Sequence, residues 1–371
     1  MKIKGFNLNP RKVNRIKKRL RNLPKGSNLY KYVRNKSAFL YLSAIKSTRV
    51  VYPSSVVLEV TNHCNLKCIT CPLQYDSGQA MDKGLINVDS MLKIVDEVAP
   101  YVDNIGLTGM GETLINKNLE KVLKYIKAKK MGIQTSISTN AHLPTTYDYL
   151  KRILPYLDQL QVSIDGIGAV YNEVRVEGNF DFFVENVRKI KPICDEFDVP
   201  ILFNFTIVKE NFHQMPEILK LAEDLGVQYV NMNPINITAV SRYDISYYDF
   251  FTSDEYVAVL NKTIEVSKKI DNVTLSLYDY KSENGFKKCI YPWMHNYVTW
   301  DGYLIPCCAR PFPKELNYGN VFKDGLLNCL NNEQFREVRR MWYNNETPKF
   351  CEDCIVCVLK PITTELDVAV A

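Results

Sequence analysis

From residue 56 onward, short β-branched runs alternate with amphipathic stretches, the pattern of a parallel sheet covered by helices. The runs at 56–60, 104–108, 134–138, 160–164, 201–205 and 228–232 read as strands. Helical periodicity lies between them, as at 90–98, 119–129 and 215–225. Six βα units predict an α/β fold, a partial (β/α)6 barrel of TIM type, open on one side. Parallel barrels carry their chemistry at the C-terminal ends of the strands, so the loops leaving those ends are where candidate residues belong.

The first such loop is Cys64-Asn65-Leu66-Lys67-Cys68-Ile69-Thr70-Cys71. Three thiolates at these spacings can seat three irons of a cubane [4Fe–4S] cluster and leave the fourth without a local protein ligand. An open metal position marks a catalytic site rather than a structural one. A zinc knuckle with His63 as fourth ligand is the competing reading, and His63 directly precedes Cys64, an awkward spacing for closing a tetrahedron. This CxxxCxxC after a strand resembles the radical S-adenosylmethionine (SAM) enzymes. The resemblance implies that the SAM amino and carboxylate groups fill the open iron. It further implies that the reduced cluster splits SAM to a 5′-deoxyadenosyl radical.

Three further motifs match that family in order. Gly109-Met110-Gly111-Glu112 follows the second strand and resembles the glycine-glutamate motif that holds the SAM amino group. Ser138-Thr139-Asn140 ends the third, where the family contacts the ribose or methionine end of SAM. Ser163-Ile164-Asp165-Gly166, with Arg175 beyond, matches a pattern in which Ser163 and Arg175 hold the SAM carboxylate. The planar guanidinium fork suits a carboxylate. Many relatives carry an aromatic before the third cysteine, near adenine. Thr70 stands there, so only its backbone is expected to contact the base.

After residue 285 the composition changes. Cys289, Trp300-Asp301-Gly302-Tyr303, Cys307-Cys308, the helical run 334–341 and Cys351, Cys354 and Cys357 resemble the SPASM/Twitch extension, a β-hairpin and helix that hold auxiliary clusters. Asp301-Gly302 is a hairpin-turn signal that folds Cys307 back toward Cys289. Cys289, Cys307, Cys351 and Cys354 form the best four-thiolate set, with Cys357 as a substitute for Cys354 and a zinc ribbon as the competing reading. No cysteine follows Cys357, so one auxiliary [4Fe–4S] cluster is expected beside the SAM-binding one. Cys194 and Cys329 read as small core residues. Cys308 follows a proposed ligand, at a position where relatives that oxidise a peptide use an Asp base. A thiol there is a candidate hydrogen-atom donor, as in radical epimerases, or else merely packs.

Charge sets the N-terminus apart. Residues 1–50 contain fifteen Lys or Arg and no Asp or Glu, and the first acid is Glu59. The expected organisation is a basic arm over 1–50, the barrel over 51–285 and the auxiliary cluster domain over 286–371. Val13, Ile16 and Leu20 recur at helical spacing among basic residues, and 39–42 is a second apolar stretch. Such an arm suits a peripheral contact with an anionic membrane, guidance of an anionic substrate, or simple packing on the acidic body. It is too short for the leader-recognition module of many peptide-modifying relatives. No secretory signal or apolar run long enough for a span is present, so a cytoplasmic protein is expected, with a peripheral place at the inner membrane face in view. Eleven cysteines in a reducing compartment favour clusters over disulfides.

The expected function is hydrogen abstraction followed by oxidation of a carbohydrate, aminocyclitol or peptide, with an electron donor such as flavodoxin or ferredoxin. Radical epimerisation through Cys308 is the rival outcome. A non-catalytic iron–sulfur or nucleic-acid-binding chain is the contrasting class. It would use Tyr30, Tyr32, Phe39 and Tyr41 for stacking but leaves the SAM-site residues unexplained, and no specific nucleic acid is expected.

Overall fold

The computed structural model describes residues 23–280, 289–355 and 359–361. The six expected strands form as β1 (Ser55–Leu58), β2 (Asn104–Leu107), β3 (Gln134–Thr139), β4 (Gln159–Ser163), β5 (Ile201–Ile207) and β6 (Tyr229–Pro234). They pair in parallel in chain order. The structure adds two parallel strands. One is β7 (Thr274–Tyr280), which continues the sheet beyond β6. The other is β8 (His295–Val298), which pairs with the far side of β1. The first strand of the expected C-terminal extension is therefore part of the barrel sheet. Antiparallel β9 (Leu304–Ile305) and β10 (Leu359–Pro361) finish its two edges. The β8–β9 turn is the one that Asp301-Gly302 predicts. Gly302 takes φ 94°, a left-handed conformation that suits glycine, and its amide donates to Thr299 O at 2.9 Å.

Helices cover the outer face because their apolar stripes match it. In α2 (Val88–Val98), Met91, Ile94, Val95 and Val98 are buried at helical spacing, and Asn87 caps the N-terminus by accepting from the Asp89 and Ser90 amides. The same spacing buries Leu119, Val122, Leu123 and Ile126 in α3 (Leu119–Ala128). Then come α4 (Thr146–Ile153), α5 (Phe180–Glu196), α6 (Met215–Asp224), α7 (Asp254–Ser267) and α8 (Glu333–Tyr343). Cys194 in α5 and Cys329 in a short helix are buried. Ahead of the sheet, α1 (Ser27–Ala44) contains the 39–42 stretch, while Val13, Ile16 and Leu20 lie outside the described residues.

The inner face is different. In β4, Leu160 and Val162 are buried among the core side chains whereas Gln159, Gln161 and Ser163 alternate with them. Parallel register aligns Ser163, Asn204, Asn231 and Ser276 across β4 to β7. Asn231 Nδ2 donates to Asn204 Oδ1 at 2.9 Å. Asn231 Oδ1 and Ser276 Oγ are buried without a hydrogen-bond partner. Such groups are costly to leave unpaired, and the row is a ready surface for a polar ligand.

Candidate active site

The cysteine loop leaves β1 and is held from two sides. On one side the Gly111 amide donates to Thr61 O at 3.2 Å and the Glu112 amide to His63 O at 2.8 Å. Gly111 has to be glycine here, because a Cβ would stand 2.3 Å from His63 O, and at Gly109 it would stand 2.4 Å from Glu59 Cγ. On the other side the Lys67 amide donates to Val176 O at 2.9 Å and the Ile69 amide to Val174 O at 3.0 Å. That two-bond pairing brackets Arg175 and sets it beside the thiols, where its positive charge opposes the upward shift of Cys64 and Cys68. Burial is the larger influence on all three thiols. It raises Cys64 and pushes Cys68 to about 11 and Cys71 to about 12. Metal ligation would have to displace those protons.

Arg175 is buried and paired with Asp165, Nη2 to Oδ2 at 2.9 Å, and its Nε has no partner. Asp165 Oδ1 also accepts from the Thr206 amide at 2.8 Å. The guanidinium is thereby oriented by one carboxylate while part of its fork stays open. Glu112 is equally buried, but its oxygens are engaged: it accepts from Thr139 Oγ1 at 2.6 Å, from the Asn140 amide at 2.7 Å and from the Leu114 amide at 3.0 Å. Burial raises its pKa all the same. Through Glu112 the end of β3 is fixed, and Asn140 Nδ2 reaches Cys64 Sγ at 3.8 Å and Asn65 Oδ1 at 2.9 Å. Thr70, Ser138 and Ser163 are half-buried around this centre.

Glu59, at the end of β1, is a residue that the motifs did not single out. Its carboxylate is fully buried and accepts from Tyr297 Oη at 2.8 Å, the Met110 amide at 3.1 Å and the Trp300 amide at 3.2 Å. Burial raises its pKa. It ties the cysteine loop, the glycine-glutamate loop and the C-terminal hairpin together. Asp165 was missed likewise, although it lies inside a quoted motif. The available signal for both was an acid at the end of a strand in an otherwise apolar run.

The C-terminal thiols lie near enough to one another to interact electrostatically. The Tyr291 hydroxyl lies in the field of Cys308, Cys289, Cys307 and Cys354. Cys351 feels the charge of Cys354 and Cys289, and Cys307 that of Cys308, Cys354 and Cys351. Asn236, just past β6, places Nδ2 at 3.4 Å from Cys354 Sγ, and Thr238 Oγ1 donates to Asp353 O at 3.3 Å. The 351–354 loop is therefore seated on the loop that leaves β6. Burial raises Cys307 strongly. Cys308 is exposed, yet the surrounding protein and the nearby thiols push it up to about 11. Cys357 lies outside the described residues. Among the described residues no three His, Cys, Asp or Glu side chains converge on a single ion, whereas zinc at about 2.3 Å from each sulfur draws its thiolates nearly into contact.

Comparison with known proteins agrees with this geometry. The radical SAM superfamily model matches residues 58–222, and that of the SPASM iron–sulfur cluster-binding domain matches residues 289–355. The tungsten-containing aldehyde ferredoxin oxidoreductase cofactor-modifying protein of Pyrococcus furiosus is 26% identical over 321 residues, covering 80% of this chain and 86% of that protein. The PqqA peptide cyclase of Bradyrhizobium diazoefficiens is 25% identical over 316 residues, covering 81% and 79%. Among solved structures, Streptococcus suis SuiB bound to S-adenosylmethionine superposes with a TM-score of 0.63 at 17% identity, over 88% of this chain and 77% of that one. That likeness concerns the fold. The chain belongs to the radical SAM superfamily and carries a SPASM iron–sulfur domain.

Proposed function

We propose that this chain abstracts a hydrogen atom from a polar substrate bound in the barrel and that the net outcome is oxidation. The observation that carries the reading is a three-thiol loop leaving β1 with the unpaired Arg175 Nε beside it, accompanied by a second group of thiols in the C-terminal extension. Membership of the family brings a [4Fe–4S] cluster, SAM and auxiliary iron–sulfur binding. Cys64, Cys68 and Cys71 would hold the SAM-binding cluster, and Cys289, Cys307, Cys351 and Cys354 a single auxiliary one. The donor sets fit, since three thiols on one loop leave an iron open and four fill every corner. When bound, the reduced cluster and SAM supply a 5′-deoxyadenosyl radical that attacks an unactivated C–H bond.

The protein's part is to bind and orient. Arg175, held by Asp165, would present its free Nε–H to the SAM carboxylate together with Ser163. Gly109 and Gly111 allow the loop to approach closely, and Thr70, Ser138 and Asn140 would border the nucleoside. Glu112 would serve chiefly as a brace, since three donors already occupy it. The uncharged row Asn204, Asn231 and Ser276 favours a hydroxyl- or amide-bearing substrate: a carbohydrate, an aminocyclitol or a peptide. The relative named PqqA peptide cyclase adds weight to the peptide. A flavodoxin or ferredoxin would supply the electron.

One observation favours a second outcome. Cys308 is exposed beside the half-buried Cys307, which suits a thiol that returns a hydrogen atom and yields an epimer. The first test is anaerobic reconstitution, then SAM and dithionite. Release of 5′-deoxyadenosine is expected, and its absence from cluster-loaded protein would overturn the enzymatic reading in favour of a non-catalytic iron–sulfur protein.

A further inference from the structure

Helix α1 is anchored by one face. Tyr32 Oη donates to Asp103 Oδ1 at 2.7 Å, Asn35 Nδ2 to Tyr52 O at 2.8 Å, and Lys36 Nζ reaches Asp103 Oδ2 at 2.6 Å and Ser54 Oγ at 2.7 Å. The opposite face is apolar, although it points to solvent. Tyr30, Leu40 and Tyr41 are 67%, 69% and 65% exposed, and Leu29 and Val33 lie exposed among them. At about 100° per residue these five fall in an arc of about 120°. Only Ser37 and Ala44 share that arc, so it holds no charge.

A helix that merely packs on a body turns its apolar stripe inward; α1 instead keeps this apolar arc toward solvent. The charged residues that α1 itself places at the edges of the apolar arc are cations. Arg34 lies about 20° beyond one edge of the arc and Lys36, paired with Asp103, about 20° beyond the other; Lys25 and Lys46 are exposed beyond the two ends of the helix, and no acid occurs anywhere in residues 1–50. An isologous pairing of two copies through this face would set that fringe against itself. Nucleic acid would meet the cations but leave Leu29, Val33 and Leu40 without a matching surface. An anionic bilayer meets both features, with headgroups for the cations and the acyl boundary for the apolar arc. Tyrosines such as Tyr30 and Tyr41 favour the headgroup level.

We propose that the outward face of α1 seats the enzyme on an anionic lipid surface as a peripheral contact. Among the described residues no helix is long and apolar enough to cross a membrane, and a surface-lying helix needs none. The anchors also fix the orientation. Tyr52 and Ser54 directly precede β1, and Asp103 directly precedes β2, so α1 lies at the N-terminal ends of the strands. The candidate site is at the C-terminal ends. Docking would therefore turn the mouth of the barrel away from the bilayer and leave it open to water-borne substrate.

The test is co-sedimentation of the full chain with vesicles of phosphatidylcholine alone, or with about a third phosphatidylglycerol, at about 0.1 M salt. The wild type should bind the anionic vesicles and not the neutral ones. The exposed triple variant Val33→Ser, Leu40→Ser, Tyr41→Ser should keep its thermal midpoint and bind at least about tenfold more weakly, because it removes buried apolar area and no charge. Equal binding by the variant would overturn the proposal and shift the contact to the basic residues at large. Equal binding to neutral vesicles would overturn the anionic specificity. So would a wild-type dimer, or a complex with mixed-sequence DNA, that the variant abolishes while vesicle binding is absent.

Discussion

At the scale of single residues, the site depends on where Arg175 points. A buried guanidinium with one carboxylate partner is oriented by that partner, and losing one member of such a pair leaves an uncompensated charge. Asp165→Asn should therefore cost about 3 kcal/mol in stability, read by urea unfolding, and should weaken SAM binding in a cluster-loaded sample. A loss of stability with unchanged SAM affinity would show that Asp165 only supports the fold. The three loop cysteines have a different signature. Replacing Cys64, Cys68 and Cys71 together with Ala should abolish 5′-deoxyadenosine release and leave iron at the C-terminal site, whereas continued SAM cleavage would sink the assignment. Arg175 and the cysteines were legible from motif spacing. Asp165 and Glu59 were not, because their meaning lies in partners far along the chain: Thr206 for Asp165, Tyr297 and Trp300 for Glu59. An acid in a strand-end run carries no mark of the amide or hydroxyl that will meet it.

At the scale of elements, the cysteine loop is positioned by its neighbours more than by its own conformation. Backbone pairing with 174–176 and with the glycine-glutamate loop holds it. Gly111 is the tightest of these contacts, so Gly111→Ala must push the two loops apart. It should lose about 1–3 kcal/mol, the usual cost of overpacking, and load less iron in the N-terminal cluster, measured as iron per chain after reconstitution of a variant lacking the C-terminal ligands. Normal loading would show that the loop adapts. The six central strands were readable because each is β-branched and separated from the next by a clear helical period. The strands β7 and β8 escaped that reading for separate reasons. In β7 the alternating polar residues mask the run, and β8 is short and lies among the cysteines. Parallel pairing of β8 with β1 is a tertiary choice, and it joins the C-terminal extension to the barrel sheet.

At the scale of the whole molecule, one fold carries two thiol groups, the loop leaving β1 and a C-terminal set whose 351–354 loop sits on the loop leaving β6. Tyr297 of β8 donates to Glu59 at the end of β1 and so ties the C-terminal extension to the strand that leads into the cysteine loop. If each group holds a cube, reconstitution should give about eight irons per chain, and stoichiometric zinc with about four irons would favour a ribbon at the second site. With both cubes loaded, the fate of the substrate radical rests on which partner is nearer, an electron acceptor or a hydrogen donor. Cys308 is exposed, and its thiol, protonated at neutral pH even at the ordinary value, is pushed further up to about 11 by the surrounding protein and the nearby thiols, so a hydrogen atom is there to give. Electron loss yields a product two hydrogens lighter, with Cys308→Ala nearly neutral. Hydrogen return yields a product of unchanged mass that takes one deuterium from heavy water through the exchangeable thiol, and Cys308→Ala then cleaves SAM without forming it. The four-thiol set beside Cys308 favours electron loss. Product mass and deuterium content, measured with wild type and Cys308→Ala on the same substrate, decide between them, and one deuterium in the wild-type product would overturn oxidation.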